Sequence, residues 1–134
     1  AVIDVLYGCV GFEMLFGDFG VVVLCGLLGN DSLIGWTGND RLIGGSGRDV
    51  MDGQGGVDTY VFEVAHLTAG GEDVILAYDA ADVYSFQGNP GQNIFYYSFN
   101  GGAAINVELA SGGFHHIDVF GATEAQLINQ VSFF

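Results

Sequence analysis

Four aspartates recur at intervals of nine residues in the first half of the chain: Asp31, Asp40, Asp49 and Asp58. Each follows two glycines, which stand five and two positions earlier. Glycine lets a backbone turn tightly and aim its carbonyl oxygens at one point. Carbonyl and carboxylate oxygens, without sulfur or imidazole, favour Ca²⁺ over transition metals. The pattern predicts several calcium ions held by these aspartates and by the glycine turns. The glycines are Gly26, Gly29, Gly35, Gly38, Gly44, Gly47, Gly53 and Gly56.

A large apolar residue follows each of these aspartates by two positions, as Leu33, Leu42, Met51 and Tyr60. The nine-residue unit therefore divides into a six-residue turn and a three-residue strand, and the apolar side chain of each strand is expected to point inward. A flexible glycine-rich linker would need neither a fixed aspartate nor an apolar residue at a fixed phase. The repeat thus predicts a regularly coiled structure over residues 26–61.

This unit resembles the RTX (repeats-in-toxin) nonapeptide, Gly-Gly-x-Gly-x-Asp-x-U-x, where U is a large apolar residue. The resemblance implies a right-handed parallel β-roll in which two units form one coil. A calcium ion would lie between every turn and the second turn after it, so Asp31 would pair with Asp49, and Asp40 with Asp58. It also implies export by type I secretion with an uncleaved C-terminal signal, and folding outside the cell.

An irregular form of the same nine-residue unit is present in residues 1–25. The aspartate column there reads Asp4, Glu13 and Val22, while the glycine and apolar columns persist. We therefore expect the coil to begin near the N-terminus. Glu13 can still act as a ligand, although its longer side chain fits poorly in a turn sized for aspartate. Val22 cannot, so the sites beside it should be weak or empty.

Some turn positions depart from the RTX pattern. Phe12, Phe19 and Val21 stand where small or polar residues are usual, and would form an exposed apolar patch. Two interpretations are open: a packing surface for a neighbouring domain or a second copy, or a variant of a more regular repeat. Other residues replace the second glycine of the unit, and these are Cys9, Asp18, Leu27, Trp36 and Gln54.

Residues 62–134 are expected to form a separate β-rich capping and secretion region after the roll of residues 1–61. The segment 73–86 resembles the segment that follows the last repeat in RTX proteins, although Ala77 replaces an expected aspartate. Asp73, Asp79 and Asp82 are either further calcium ligands or solvated turn acids, since aspartates favour turns in any case.

Beyond this segment, strands are expected at 93–99, 103–109 and 114–120, joined by glycine turns at 100–102 and 111–113. A short helix is expected over 123–130, with Thr123 as N-cap and Gln126 completing a capping box. A small antiparallel cap or sandwich of this kind would close the open end of the coil. The predicted fold is therefore all-β, a right-handed parallel β-roll followed by an antiparallel cap.

Charge and composition exclude several functions. The chain has 134 residues and a formal net charge of −14, with 16 acids against two Lys or Arg residues. Nucleic acid and anionic membranes are therefore poor partners. No apolar run is long enough for a membrane span, and no N-terminal signal peptide is recognisable. The chain opens in mid-repeat, like a piece of a longer protein. Cys9 and Cys25 would lie about one coil apart, where a disulfide is conceivable, but free, buried thiols are favoured.

No catalytic constellation is recognisable in the chain. His-Glu-x-x-His, Gly-x-Ser-x-Gly and phosphate-binding loop motifs are all missing from the sequence. His115 and His116 should point to opposite faces of one strand, and with His66 they are interpreted as surface or cap histidines. We therefore expect a secreted or cell-surface calcium-binding module of an exported bacterial protein, without enzymatic activity of its own. The alternatives are a self-assembling surface-layer or filament subunit, or the tail of a secreted enzyme.

Overall fold

The computed structural model describes residues 3–67, 71–88, 94–109 and 112–133. Short strands dominate these ranges, and one α-helix, α1 (Glu124–Gln130), and one 3₁₀ turn (Val64–His66) accompany them. The strands are β1 (Asp4–Tyr7), β2 (Met14–Phe16), β3 (Val22–Cys25), β4 (Ser32–Ile34), β5 (Arg41–Ile43), β6 (Val50–Asp52), β7 (Thr59–Glu63), β8 (Glu72–Ile75), β9 (Val83–Gln87), β10 (Ile94–Phe99), β11 (Gly102–Glu108), β12 (Phe114–Phe120) and β13 (Val131–Phe133).

Successive strands of the repeats alternate between two sheets. Within the described ranges, the first sheet has the order β1-β3-β5-β7-β9-β13, and the second has the order β10-β11-β12-β8-β6-β4-β2. Every neighbouring pair in the first sheet is parallel. In the second sheet only β10, β11 and β12 pair in antiparallel fashion. The prediction of a parallel β-roll with an antiparallel C-terminal part is confirmed.

The core consists of two inward-facing columns, one on each sheet. Equivalent residues of neighbouring coils lie directly opposite each other, as in the pairs Leu24↔Leu42 and Leu33↔Met51. Because side chains alternate along a strand, the middle residue of β4, of β5 and of β6 is inward and fully buried. Later coils carry aromatic residues in these positions, and Tyr60 stacks on Tyr84 at 5.6 Å between ring centroids. The buried column residues are Leu24, Leu33, Leu42, Met51, Tyr60, Ile75, Tyr84 and Val119.

The parallel coil continues beyond residue 61. Strand β7 crosses the predicted boundary, and β8 and β9 extend both sheets with parallel pairing to β6 and β7. The division of the chain at this point therefore stays a prediction, with strands on both sides of it sharing the same two sheets. The predicted strands and turn of the β10–β11 hairpin and the strand at 114–120 are confirmed. The capping box of α1 is also confirmed: the side chains of Thr123 and Gln126 each accept a hydrogen bond from the other residue's backbone N–H group.

Both cysteines are free, as expected, but the prediction that they are buried is wrong. Cys9 is exposed and Cys25 is half-buried. The inward position of β3 belongs to Leu24, so the alternation of side chains places Cys25 on the outer face of the sheet.

Three residues that replace the second glycine of the unit adopt a left-handed backbone: Leu27, Trp36 and Gln54, with φ of 75°, 78° and 66°. In this region a Cβ costs about 1 kcal/mol or more. We expect Gln54→Gly to stabilise the calcium-loaded chain by roughly 0.5 kcal/mol, after the extra chain entropy of glycine is subtracted. Urea unfolding measures the change. Gln54→Ala keeps the strained backbone and should give no gain; equal gains from both variants would contradict the explanation.

Candidate metal centre

The turns of the roll stack directly on the second turn along the chain. The N–H of Gly26 donates to the carbonyl of Ile43 at 2.9 Å, and the N–H of Gly29 donates to the carbonyl of Ser46 at 3.0 Å. These bonds run between turns on the same side of the coil, eighteen residues apart. Each side of the roll thus carries a column of equivalent turns, and side chains at the same position of the unit lie above one another.

The acids of each side form a ladder. We call Glu13, Asp31, Asp49 and Asp73 the first ladder. The N–H of Glu13, of Asp31 and of Asp49 each donates to Oδ1 of the next member, at 3.0, 2.9 and 2.9 Å. The second ladder consists of Val22, Asp40, Asp58 and Asp82.

In the second ladder the corresponding N–H to Oδ1 distances are 2.9, 2.9 and 2.8 Å. The carbonyls of two aspartates accept from the residue that follows the next ladder member: that of Asp40 from the N–H of Thr59 and that of Asp58 from the N–H of Val83, both at 2.8 Å. Asp31 and Asp49 therefore lie on one side of the roll, and Asp40 and Asp58 on the other.

The second carboxylate oxygen of four ladder members has no partner. Oδ2 of Asp31, Asp40, Asp49 and Asp58 is buried without a hydrogen bond to any described residue, and these residues are at most 2 % exposed. An ionised carboxylate buried without a partner costs several kcal/mol. Four such groups in two stacked columns favour neutralisation, either by a bound proton or by a cation. The observation fits the calcium ions that the repeat implies.

The first glycine of each turn forms part of the same oxygen-lined space. A Cβ on Gly26 would lie 2.5 Å from Oδ2 of Asp31 and 2.7 Å from the carbonyl oxygen of Gly44. A Cβ on Gly35 would lie 2.5 Å from Oδ2 of Asp40. The orphaned carboxylate oxygen and a backbone carbonyl of the second turn along the chain thus converge beside a residue without a side chain. These are hard oxygen donors of the kind that Ca²⁺ prefers.

Backbone oxygens must supply much of any coordination shell here. Among the described residues, no group of three or more His, Cys, Asp or Glu side chains is placed to hold a metal ion together. Since Ca²⁺ takes six to eight oxygen ligands, a pair of ladder carboxylates needs carbonyls from the turns, as the glycine columns suggest.

The other residues considered as calcium ligands do not share one environment. Glu13 takes a ladder position, but its carboxylate folds back on its own turn and accepts from the N–H of Cys9 at 3.2 Å. Val22 fills its ladder position with a buried apolar side chain. Asp79 lies outside both ladders and accepts from the N–H of Ala81 at 2.9 Å, which is the arrangement of a turn acid. Asp4 is exposed.

Asp73 and Asp82 join the ladders although the nine-residue spacing is interrupted before them. Asp73 follows Asp58 by fifteen residues instead of nine, and Asp82 follows Asp73 by nine. The extra residues are absorbed in the segment between β7 and β8, after which the repeat resumes in phase. Without the register of the sheets, the nine-residue rule alone would have excluded both aspartates.

Two further polar side chains were missed from the sequence. His115 is buried, and its Nε2 lies 2.8 Å from Oδ2 of Asp73. Nε2 of Gln130 donates to the carbonyls of Asp79 and Asp82, at 3.0 and 2.8 Å. His115 and His116 do face opposite sides of β12, but His115 is an interior residue and not a surface one. The alternation along β12 indicated that one of the two histidines is buried, without indicating its partner.

Burial weakens the acidity of the ladder carboxyls. It raises the pKa of Asp49 and of Asp82 to about 7 and that of Asp58 to about 6. It also raises the pKa of Asp31 and of Asp40. These carboxyl groups therefore hold a proton more tightly in the folded, metal-free chain than in the unfolded chain.

This difference predicts a pH dependence with a definite sign. The stability that these groups contribute to the metal-free roll is fully present below about pH 3.9, the pKa of an unfolded aspartate, and is lost as pH rises through about 6 to 7. In EDTA, the chain should show more β-structure at about pH 5.5 than at about pH 7.5. Because protons compete with calcium, the calcium midpoint should be higher at the lower pH. Circular dichroism measures both; loss of β signal on acidification in EDTA would contradict the prediction.

The fold and the site define a class of protein: a parallel β-roll with oxygen-lined turns. Residues 26–60 match the family model of the RTX calcium-binding nonapeptide repeat (4 copies). Residues 26–60 are thus RTX calcium-binding nonapeptide repeats, and such repeats bind several Ca²⁺ ions.

Two solved structures are similar in fold over most of this chain. The chain is similar to the AlgE6R3 subunit of the Azotobacter vinelandii mannuronan C5-epimerase, with a TM-score of 0.70 and 26 % identity over 93 % of this chain and 80 % of that one. It is similar in fold to the extracellular lipase LipA of Serratia marcescens, with a TM-score of 0.67 and 23 % identity over 95 % of this chain and 20 % of that one. Comparison with curated protein sequences finds no significant match.

Proposed function

We propose that this chain is a calcium-binding module of an exported bacterial protein, and that it folds when it meets extracellular calcium. The orphaned, buried Oδ2 atoms of Asp31, Asp40, Asp49 and Asp58 carry the proposal. They lie in a chain of net charge −14, in which a compact metal-free state brings like charges together. Calcium relieves both the repulsion and the missing interactions, so that ion binding and folding are coupled.

The proposed ligands follow the two ladders. Asp31 and Asp49 serve one side, Asp40 and Asp58 the other, and the turns containing Gly26, Gly29, Gly35, Gly38, Gly44, Gly47, Gly53 and Gly56 supply carbonyl oxygens. Asp73 and Asp82 belong to the C-terminal ends of the ladders. Glu13 makes at most a weak site because its carboxylate is engaged by its own turn. Asp79 is not proposed as a ligand, since it lies in a turn outside both ladders.

The calcium concentration controls whether the module is folded. In the cytosol calcium is too scarce to offset the repulsion among the acids, so the chain stays open, which suits passage through a type I secretion channel. Outside the cell, ions bind only the folded form and stabilise it by mass action. Among the described residues no helix is long and apolar enough to cross a bilayer. We place the module outside the cell or on its surface.

Calcium titration followed by circular dichroism tests the proposal. The chain in EDTA at about neutral pH should lack most of its β signal and gain it cooperatively with added CaCl₂, because the ladders need cations to pack. MgCl₂ is the control, since Mg²⁺ dehydrates reluctantly and demands stricter octahedral geometry. A chain with the full β signal in EDTA, unchanged by calcium, would refute folding on calcium binding.

A second candidate function rests on the N-terminal end of the roll. Strands β1 and β2 are the outer strands of the two sheets, and Val10, Phe12 and Phe19 are 77 %, 74 % and 75 % exposed. Unpaired strand edges flanked by apolar side chains favour association. This end therefore supports the alternative of a calcium-stabilised subunit that assembles into a surface layer or filament.

Sedimentation velocity in calcium separates the two candidates. Association that disappears in a Phe12→Ser, Phe19→Ser double variant would support assembly through this end. A chain that stays monomeric at every concentration would contradict assembly and support the calcium-binding module alone. The similarity to an epimerase subunit and to a stretch of a lipase supports a third arrangement, in which the module is the tail of a secreted enzyme.

A further inference from the structure

The first ladder ends at its C-terminal side on a histidine. Nε2 of His115 lies 2.8 Å from Oδ2 of Asp73, and the two side chains are only 1 % and 3 % exposed. We assign the Nε2–H group as the donor, because an ionised carboxylate can only accept hydrogen bonds. A buried donor–acceptor pair of this kind is stronger than the same pair in water, because the surrounding dielectric constant is low.

The strand that carries His115 takes the place of a further coil. Strand β12 pairs in parallel with β8, with Ile117 opposite Asp73. His115 stands two residues before Ile117 and therefore points to the same, inner face. It reaches the end of the ladder from the side on which the next turn of a longer roll would stand.

Asp73 differs from the aspartates before it in one respect. Asp31 and Asp49 each have an Oδ1 that accepts an N–H and a buried Oδ2 without a partner. In Asp73, Oδ1 accepts the N–H of Asp49, while Oδ2 is bonded to His115. The imidazole thus occupies the side of the carboxylate on which the other ladder members need a cation.

We propose that His115 stands in for a calcium ion at the C-terminal end of the first ladder, and so ends the series of ion sites at Asp73. The inference rests on the calcium sites of the proposed function. His115 acts as a positioning residue: it holds Asp73 in ladder geometry without metal, and Asp73 in turn receives the N–H of Asp49.

The second ladder ends in a related way. Gln130, from the last turn of α1, donates through Nε2 to the carbonyls of Asp79 and Asp82. Both ladders therefore end on N–H donors contributed by elements that follow the repeats. The donors reach different acceptors, a carboxylate in one ladder and carbonyls in the other, so the effect on ion number is specific to His115.

Ion counting with matched variants tests the proposal. His115→Ala removes the donor, His115→Gln keeps an N–H donor near the same place, and His116→Ala changes the neighbouring histidine on the opposite face. Bound calcium per chain is counted by equilibrium dialysis with metal analysis, and the calcium midpoint of folding is measured by circular dichroism. We expect His115→Ala to need about tenfold more calcium at the midpoint and to bind one ion more than the parent chain at saturation. The other two variants should match the parent in both.

A histidine that only fills space would lower stability at every calcium concentration and leave the ion number unchanged, so an unchanged count in a folded His115→Ala chain overturns the proposal. If His115→Ala does not fold at any calcium concentration, His115→Gln decides: parental midpoint and count support the donor role, and a weakened midpoint overturns it. Failure of the parent chain itself to respond to calcium would instead refute the proposed function.

Discussion

Asp49→Asn should raise the calcium concentration at the midpoint of folding by about tenfold or more, equivalent to about 1.4 kcal/mol of lost ion binding. Asp49 lies in the middle of the first ladder and is 0 % exposed. Its Oδ1 accepts the N–H of Asp31, and its Oδ2 is orphaned. Asparagine preserves the size and one oxygen acceptor, so the variant chiefly removes the charge that an ion would neutralise.

In the metal-free chain, Asp49→Asn should preserve or increase folding, the opposite of its effect in calcium. Without the Asp49 charge, repulsion from Asp31 and Asp73 falls, so the variant in EDTA should retain as much β signal as the parent chain or more. Asp79→Asn is the matched control, since it makes the same change of charge at a turn acid outside the ladders. Circular dichroism in EDTA and across a calcium titration measures both effects. Equal midpoints for the two variants would exclude Asp49 as a ligand.

Gly47→Ala should destabilise the calcium-loaded roll by about 3 kcal/mol or more, through two additive causes. Gly47 has φ of 115°, a backbone that side chains rarely adopt. An added Cβ would also overlap the carbonyl oxygen of Gly29 in the turn stacked on it. That turn cannot retreat without breaking the hydrogen bond from Gly29 to Ser46. Urea unfolding in saturating calcium measures the loss.

Gly20→Ala separates the two causes. Gly20 occupies the same position of its unit with φ of 104°, yet a Cβ there would meet nothing within 4 Å. Its variant should lose only the backbone contribution, about 1 to 2 kcal/mol. A loss for Gly47→Ala no larger than that for Gly20→Ala would show that close stacking of the turns contributes nothing measurable.

The repeats were predictable because their contacts recur at a fixed period. The residues paired between strands β1 to β7 are eighteen apart, twice the repeat, as in Leu33↔Met51. The sequence displays that period directly, so the glycine, aspartate and apolar columns indicate the turns, the ligand candidates and the core together. The capping box of Thr123 and Gln126 was equally predictable, because both partners belong to one helical turn.

The amino-acid sequence by itself therefore determined the roll, its core columns and the aspartates Asp31, Asp40, Asp49 and Asp58 as candidates for calcium. Only the tertiary structure decided how the ladders end. Asp73 joins its ladder across 24 residues and His115 reaches Asp73 across 42, separations that no repeat period encodes. They depend on the path of the chain from β7 to β12, which is set by the packing of whole strands onto the sheets and not by neighbouring residues.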